Sequence, residues 1–132
     1  MKKIIATAVM ILIGLASYSQ NLIGESFRDV KKTMNEKGFI LREGYTDESK
    51  VYYLLAYDNA EIRVYYFNTS NTCIVYEYSP KNIPRATMEK GLFNAGYHKN
   101  TNGDYDSENY TAMISYSQDS KSWVVTMILR QK

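Results

Sequence analysis

The sequence predicts an α+β fold in which an antiparallel sheet has two helices packed on one face. Two segments place apolar residues at helical spacing, and a glycine follows each of them. Between and after these segments, runs rich in Tyr, Val and Ile are separated by only a few turn residues. Such short connections favour antiparallel hairpins, because a parallel crossover needs a dozen or more residues. Helices on one face of an antiparallel sheet are typical of the α+β class.

The first 19 residues predict a secretory signal peptide. Two lysines give a positive start, residues 4–16 form an apolar run, and Ser17 and Ser19 are small residues at alternating positions. The apolar run is too short to span a bilayer core comfortably, which takes about 20 residues. We therefore expect cleavage after Ser19, export to the periplasm or the cell exterior, and no membrane anchor after cleavage. A buried N-terminal helix and an uncleaved anchor are the alternatives.

Residues 20–132 are expected to form one domain without net charge. No low-complexity linker divides them, and the chain has only two prolines. The first 19 residues hold two of the 16 basic residues and none of the 14 acidic ones, so 14 of each sign remain. This balance argues against nucleic-acid binding, which usually needs a clearly basic face.

The first predicted helix covers residues 26–37. Ser26 begins it, and Asp29 three residues later completes a capping-box-like pair. Gly38 is suited to end the helix in a left-handed conformation. The residues expected to face the sheet recur at spacings of three and four: Phe27, Val30 and Met34.

The second predicted helix covers residues 83–95. Asn82 is suited to cap it, Pro84 is tolerated in its first turn, and Gly96 ends it. Met88, Leu92 and Ala95 lie along one face of it, and Met88 and Leu92 are expected to be mostly buried.

The strands are predicted from runs of β-branched and aromatic residues. A short apolar run at residues 39–41 follows the first helix and ends near Gly44. Asn102-Gly103 is a strong two-residue hairpin signal, although the residues that flank it are not apolar. The remaining strand-like runs cover residues 51–57, 62–67, 72–78, 110–116 and 123–129.

The two halves of the chain have a similar order of features. Gly38-Phe39 and Gly96-Tyr97 each follow a helix, at an offset of 58 residues. A polar stretch, a Tyr-containing strand, a turn and another strand come next in both halves. Tyr53 and Tyr110 lie 15 and 14 residues after their glycines. A tandem helix-plus-strands duplication would produce this order, and coincidence is the alternative.

Three features of the first half indicate a family: Ile23-Gly24, Val30 in a helix, and Tyr66-Phe67 before a turn. With this order of elements, the chain resembles the small secreted domains of the beta-lactamase-inhibitor-protein type. It is also similar to the small lipoproteins of the outer-membrane assembly machinery, although this chain lacks their Cys after the export signal. The resemblance implies a binding or assembly role rather than catalysis.

The sequence has few residues for nucleophilic or metal chemistry. His98 is the only His and Cys73 the only Cys, so Cys–His catalysis would need these two and a third group to orient the imidazole. The usual Cys/His zinc sites and a disulfide framework are excluded for the same reason. Cys73 is expected to be a small buried hydrophobe on a strand, with an intermolecular disulfide as the alternative.

Two acidic clusters are the remaining candidates for acid–base chemistry. Asp47-Glu48 and the group Asp104, Asp106 and Glu108 both lie in polar stretches, where solvated turns are the ordinary explanation. Gly103 is misplaced for a calcium loop, and there is no glycine-rich phosphate loop. We therefore expect no catalytic residues, no metal site and no cofactor. A small carboxylate-dependent hydrolase is the alternative function.

Tyrosine is the unusual feature of the composition. Twelve of the 13 Tyr lie in residues 20–132, and several strands are aromatic on both faces. Tyr is enriched at protein interfaces, because it gives a large contact area at low entropy cost. Cross-strand aromatic pairing is the structural alternative. The sequence therefore predicts a secreted or periplasmic interaction module that binds a protein, or alternatively a glycan, through an open Tyr-rich sheet face. An envelope structural protein without a soluble ligand is a further alternative.

Alternation along the strands selects the predicted contact residues, because neighbouring side chains point to opposite faces. On one strand the more apolar row is expected to face the core, which turns Tyr52 outward. On the next strand the same reasoning turns Arg63 and Tyr65 outward. Tyr52, Tyr65 and Arg63 are thus the predicted partner-binding residues. The rows expected to face the core are Val51, Tyr53, Leu55 and Tyr57, and then Ile62, Val64 and Tyr66.

Overall fold

The computed structural model describes residues 22–46 and 51–130, and in them the predicted α+β fold is confirmed. The two helices of these ranges are α1 (Phe27–Glu36) and α2 (Arg85–Asn94). The strands are β1 (Ile40–Thr46), β2 (Val51–Tyr57), β3 (Glu61–Phe67), β4 (Cys73–Pro80), β5 (His98–Lys99), β6 (Tyr105–Asp106), β7 (Tyr110–Ser117) and β8 (Ser122–Leu129). The predicted signal peptide and Asp47-Glu48 lie outside the described residues. Within the described ranges, no helix has the length and apolar character needed to cross a membrane.

The strands form one antiparallel sheet in the order β1-β2-β3-β4-β8-β7-β6-β5. Each half of the described chain contributes one helix followed by four strands. The last strands of the two halves pair at the centre, where Tyr76 of β4 lies opposite Met127 of β8. This repeated order is the one that a tandem duplication would give. Tyr53 and Tyr110, which lie at similar distances from their glycines, are however not on corresponding strands. Tyr53 lies on the second strand of its half and Tyr110 on the third.

Helix α1 begins and ends close to its predicted bounds. The Ser26 hydroxyl accepts a hydrogen bond from the Asp29 amide at 3.2 Å, which caps the first turn. Gly38 follows the helix with a φ of 84°, the left-handed conformation that glycine adopts without strain. Phe27 is only partly buried, and its ring packs edge-on against Phe67 with centroids 5.0 Å apart.

Helix α2 is also present, but its predicted cap is wrong. Pro84 occupies the N-cap position, with extended backbone and no side-chain capping bond. Asn82 lies two residues earlier, at a φ of 59°. The reason is that a proline disfavours helical backbone at the residue before it, so Ile83 cannot begin the helix.

Both helices pack on the same face of the sheet. Met34 of α1 is fully buried, and its sulfur lies 3.5 Å from the Tyr65 hydroxyl. Phe93 of α2 packs edge-on against Tyr105. One row of directly opposed residues joins these two contacts across five strands: Tyr65, Tyr76, Met127, Ala112 and Tyr105. Val30, Met88 and Leu92 are fully buried against this face, as predicted.

The second half has two short strands beyond the predicted pair. β5 and β6 form a hairpin around Asn102-Gly103, but residues 100–104 connect the strands instead of the predicted two-residue turn. The Asn100 side chain accepts hydrogen bonds from two amides of this longer turn. β6 then pairs with β7, where Tyr105 lies opposite Ala112. Strands of two residues are too short for an alternating pattern, so only their pairing reveals them, β5 with β6 and β6 with β7.

The alternation predicted on β2 and β3 has the correct period, but the inward and outward rows are exchanged. Leu54 and Ala56 are fully buried under the helices, and so are Tyr65 and Phe67 on β3. The expected core row of β2 instead lies on the face without helices. Both rows of β2 are apolar, and on β3 the covered row includes Glu61 and Arg63, so hydrophobicity alone does not select the face that the helices cover. Ala56 offers a small side chain on the covered face.

Candidate functional site

The helix-free side of strands β1 to β4 is an apolar surface, which we call the open face. The strand registers place three rows of directly opposed residues across it. Most of these side chains are partly exposed to solvent. From one strand to the next, the rows are Arg42–Leu55–Val64–Glu77, Gly44–Tyr53–Tyr66–Val75 and Ile40–Tyr57–Ile62–Ser79.

The middle row places opposite charges at its two ends. Arg42 lies on β1 at the edge of the sheet, and Glu77 lies on β4. Leu55 and Val64 are directly opposed between them. The row is therefore apolar at its centre and carries one basic and one acidic group about three strand spacings apart, roughly 14 Å.

Two tyrosine rings dominate the next row. A side-chain carbon added at Gly44 would lie 2.1 Å from the Tyr53 ring, so this ring covers the glycine of the neighbouring strand. The Tyr53 and Tyr66 rings have centroids 6.3 Å apart. Burial, and a hydrogen bond from its hydroxyl to the Glu77 carboxylate, raise the pKa of Tyr66. Both rings are thus held in place by neighbours on the open face.

The third row is apolar apart from its last member. Ile40 is 57% exposed, which is unusual for an isoleucine. Tyr57 and Ile62 are directly opposed beside it and are partly exposed. Ser79 ends the row with its hydroxyl 2.8 Å from that of Ser122 on β8.

The helix-free side of β7 and β8 is more polar. Thr111, Ser115 and Ser117 of β7 lie there, next to Thr126 of β8. These hydroxyl-bearing residues alternate with Val124, Met113 and Ile128. The apolar character therefore ends near β4, which is why the open face is restricted to the first four strands.

Two of the predicted contact residues are buried under the helices, so their expected outward orientation is wrong. Arg63 is 4% exposed; its guanidinium pairs with Glu61 at 2.8 Å and lies over the Phe39 and Tyr78 rings. Tyr65 is fully buried. The ion pair and the cation–π contacts stabilise the buried Arg63 guanidinium, which the sequence analysis had expected to be exposed to solvent.

Tyr52 is exposed as predicted, but it lies on the helix-covered side of the sheet, beyond the first turn of α1. It is 54% exposed and packs against Tyr45, with ring centroids 4.7 Å apart. The two rings help to line an open cleft of about 560 Å³ together with Phe27, Glu43, Gly44 and Asn71. Tyr52, Tyr65 and Arg63 therefore do not share one accessible surface.

His98 and Cys73 are far apart. His98 is exposed on β5 at the edge of the sheet, whereas Cys73 is 1% exposed on β4. Four strand spacings separate these strands, which is about 19 Å. Burial raises the pKa of the Cys73 thiol to about 12. A Cys–His pair is therefore excluded, and an intermolecular disulfide would need Cys73 to become exposed.

Asp106, a member of the second predicted acidic cluster, has structural partners. Asp106 accepts a hydrogen bond from the Thr111 hydroxyl at 2.7 Å, and this bond is the main cause of its lowered pKa. A carboxylate with a lowered pKa is ionised at neutral pH and is a poor general acid. Within residues 22–46 and 51–130, no three His, Cys, Asp or Glu side chains cluster as a metal site would require.

No protein-family model, curated protein or solved structure matches this chain. The comparisons therefore add nothing to the expected resemblance to small secreted binding domains, and the geometry of the open face is the basis for a function.

Proposed function

We propose that this protein is a secreted or periplasmic binding module whose open face contacts a protein partner. One observation supports this most directly: β2 is apolar on both faces, while the helices cover only one. Leu54 and Ala56 are fully buried, yet Tyr53, Leu55 and Tyr57 on the other side are also apolar or aromatic. An antiparallel strand with one solvated face usually alternates apolar and polar residues. Apolar residues on both faces are typical of a strand that is covered on both sides.

Tyr53, Tyr57 and Tyr66 are the proposed contact groups, in place of Tyr52, Tyr65 and Arg63. The Tyr53 ring lies over Gly44, and the Tyr66 hydroxyl is hydrogen-bonded to Glu77. Side chains that are already ordered lose little conformational entropy on binding. Tyr also combines a large apolar area with a polar group that tolerates partial exposure.

The composition of the open face favours a protein partner over a glycan or a nucleic acid. Arg42 is its only basic residue, so a polyanion would find little attraction. Leu55, Val64 and Ile62 offer no side-chain hydrogen bonds, which a glycan with many hydroxyl groups would need. The proposed location rests on the signal-peptide pattern, and we assign the protein no catalytic residue.

Photo-cross-linking of the exported protein tests this proposal. A photoreactive phenylalanine analogue replaces Tyr57 on the open face, and in a matched variant it replaces Tyr116. Tyr116 is 44% exposed on the helix-covered side of β7, so the two probes are both accessible but lie on opposite sides. We expect light-dependent protein adducts from position 57 and few or none from position 116. Equal yields from both positions, or none from position 57, would contradict the proposal.

A further inference from the structure

We infer that the partner of the open face is a second copy of this chain, related to the first by a two-fold axis parallel to the strands. This inference rests on the proposed function, because it names the occupant of the same face. The axis passes between the two sheets at the level of β2 and β3. It places β1 of one copy over β4 of the other, and β2 over β3.

The middle row of the open face is complementary to itself under this rotation. Rotation about an axis parallel to the strands reverses the strand order and keeps each row at its own level. The row Arg42–Leu55–Val64–Glu77 then lies over the same row in reverse. Arg42 of each copy faces Glu77 of the other, and Leu55 faces Val64. The only two charged groups of the three rows are thereby paired with opposite charge, twice in each dimer.

The other two rows also pair in compatible ways. In the row of Gly44, Tyr53, Tyr66 and Val75, the glycine faces Val75 and the two tyrosines face each other. Because the Tyr53 ring covers this glycine, the opposing Val75 would contact the ring.

In the last row the pairing brings aromatic and aliphatic groups together. Tyr57 of one copy faces Ile62 of the other, and the exposed Ile40 faces Ser79. No row places two like charges opposite each other, which is the arrangement that a self-association must avoid.

The area of the open face suits a weak dimer. Four strands at a spacing of about 4.8 Å and seven residues at about 3.3 Å give a flat footprint of about 450 Å² per copy. The pair therefore covers about 900 Å², and projecting side chains add to this value. Specific interfaces begin at about 1,000 Å² in total. Face-to-face packing of two twisted sheets at about 10 Å is the ordinary geometry of a β-sandwich.

Charge reversal at the two ends of the middle row tests the dimer. In sedimentation velocity, the unaltered protein should convert from monomer to dimer as its concentration rises through the micromolar range. Arg42→Glu places Glu against Glu twice, and Glu77→Arg places Arg against Arg twice. Each variant alone should have a dimer dissociation constant raised at least about tenfold, because like-charge contacts are unfavourable. Lys32→Glu, an exposed change of equal charge on α1, should leave dimerisation unchanged.

Two restorations follow from the symmetry. An equimolar mixture of Arg42→Glu and Glu77→Arg should form a heterodimer in which both ion pairs are present again. The double variant Arg42→Glu/Glu77→Arg should likewise dimerise with itself. Circular dichroism of each variant shows whether the fold is intact, and the double variant provides the test if one single variant does not fold. A monomeric unaltered protein, a dimer that neither reversal weakens, or failure of both restorations would overturn the inference.

The mass of the photo-cross-linked adduct separates the two proposals. An adduct of twice the chain mass from position 57 supports both the binding face and the second copy. Adducts with a different protein, from a chain that stays monomeric, would overturn the dimer and leave the proposed function in place. No adduct from position 57, with a monomer at all concentrations, would overturn both.

Discussion

Two ion pairs in this protein differ mainly in their access to water. Arg63 and Glu61 are 2.8 Å apart, with side chains 5% and 15% exposed. Lys31 and Glu43 are 3.0 Å apart, with side chains 47% and 49% exposed. Removing one partner of a buried pair leaves a charge with little solvent around it, whereas an exposed charge is rehydrated at once. The two pairs should therefore contribute very different amounts to stability.

Replacement of the cation by methionine tests this difference. Arg63→Met keeps much of the side-chain volume but leaves the Glu61 carboxylate without its ion-pair partner, so we expect a loss of about 3–5 kcal/mol in the free energy of unfolding. Lys31→Met, the matched change at the surface, should cost less than about 1 kcal/mol. Urea denaturation measures both values. Equal losses would show that the Arg63 pair is not shielded from solvent.

At the level of elements, β3 and β4 share a stack of buried tyrosines. Tyr65 and Tyr76 are stacked with ring centroids 4.9 Å apart, and Tyr76 and Tyr78 at 6.3 Å. Burial raises the pKa of all three hydroxyls, and for Tyr65 the value is about 12. The folded protein therefore holds these protons more tightly than the unfolded chain does.

This difference predicts alkaline unfolding. A tyrosine with an ordinary pKa of 10 ionises first in the unfolded chain, so its contribution to stability is complete below pH 10 and is lost as the pH rises towards 12. Tyr65 alone should account for a loss of about 3 kcal/mol over this range. Circular dichroism at increasing pH follows the fold, and ultraviolet absorbance follows the phenolates. Ionisation of all tyrosines near pH 10 with the fold intact would contradict the prediction.

The elements also show which predictions depend on local sequence. The helices were placed within two residues of their bounds, because their spacing and their glycines are local signals. The cap of α2 was misplaced, since the effect of Pro84 on the preceding residue outweighs the capping tendency of Asn82. Strands β5 and β6 have only two residues each and depend on pairing, β5 with β6 and β6 with β7.

At the scale of the whole molecule, the pairing of β4 with β8 joins the two halves into one sheet. Val75, Tyr76, Glu77 and Tyr78 are each opposed to a residue of β8. The buried row from Tyr65 to Tyr105 also runs through both halves. A core that crosses the junction should unfold as a unit, because neither half can lose its structure without exposing the other.

A core substitution in the first half tests this cooperativity, because the only Trp lies in the second. Met34→Ala should lower the free energy of unfolding by about 2–5 kcal/mol, as large-to-small core changes do. Trp123 fluorescence should then shift to lower urea concentration together with circular dichroism. A Trp123 transition that does not change in Met34→Ala would show that the two halves unfold separately.

The sequence by itself determined the fold class, the two helices, the longer strands and the period of their alternation. These features depend on local spacing, turn residues and the lengths of the connections, all of which the sequence alone contains. The excess of Tyr also predicted an open Tyr-rich sheet face, and the helix-free face contains Tyr53, Tyr57 and Tyr66; binding through this face stays a prediction.

Only the tertiary structure decided which row of each strand the helices cover. β2 is apolar on both faces, so its alternation and hydrophobicity fit either choice, and on β3 the covered row is the one that carries Glu61 and Arg63. Met34 contacts Tyr65, and the Phe39 and Tyr78 rings lie under the Arg63 guanidinium; each of these contacts joins residues that are distant in sequence. For that reason Tyr65 and Arg63 are core residues, and the candidate contact surface lies on the opposite side of the same strands.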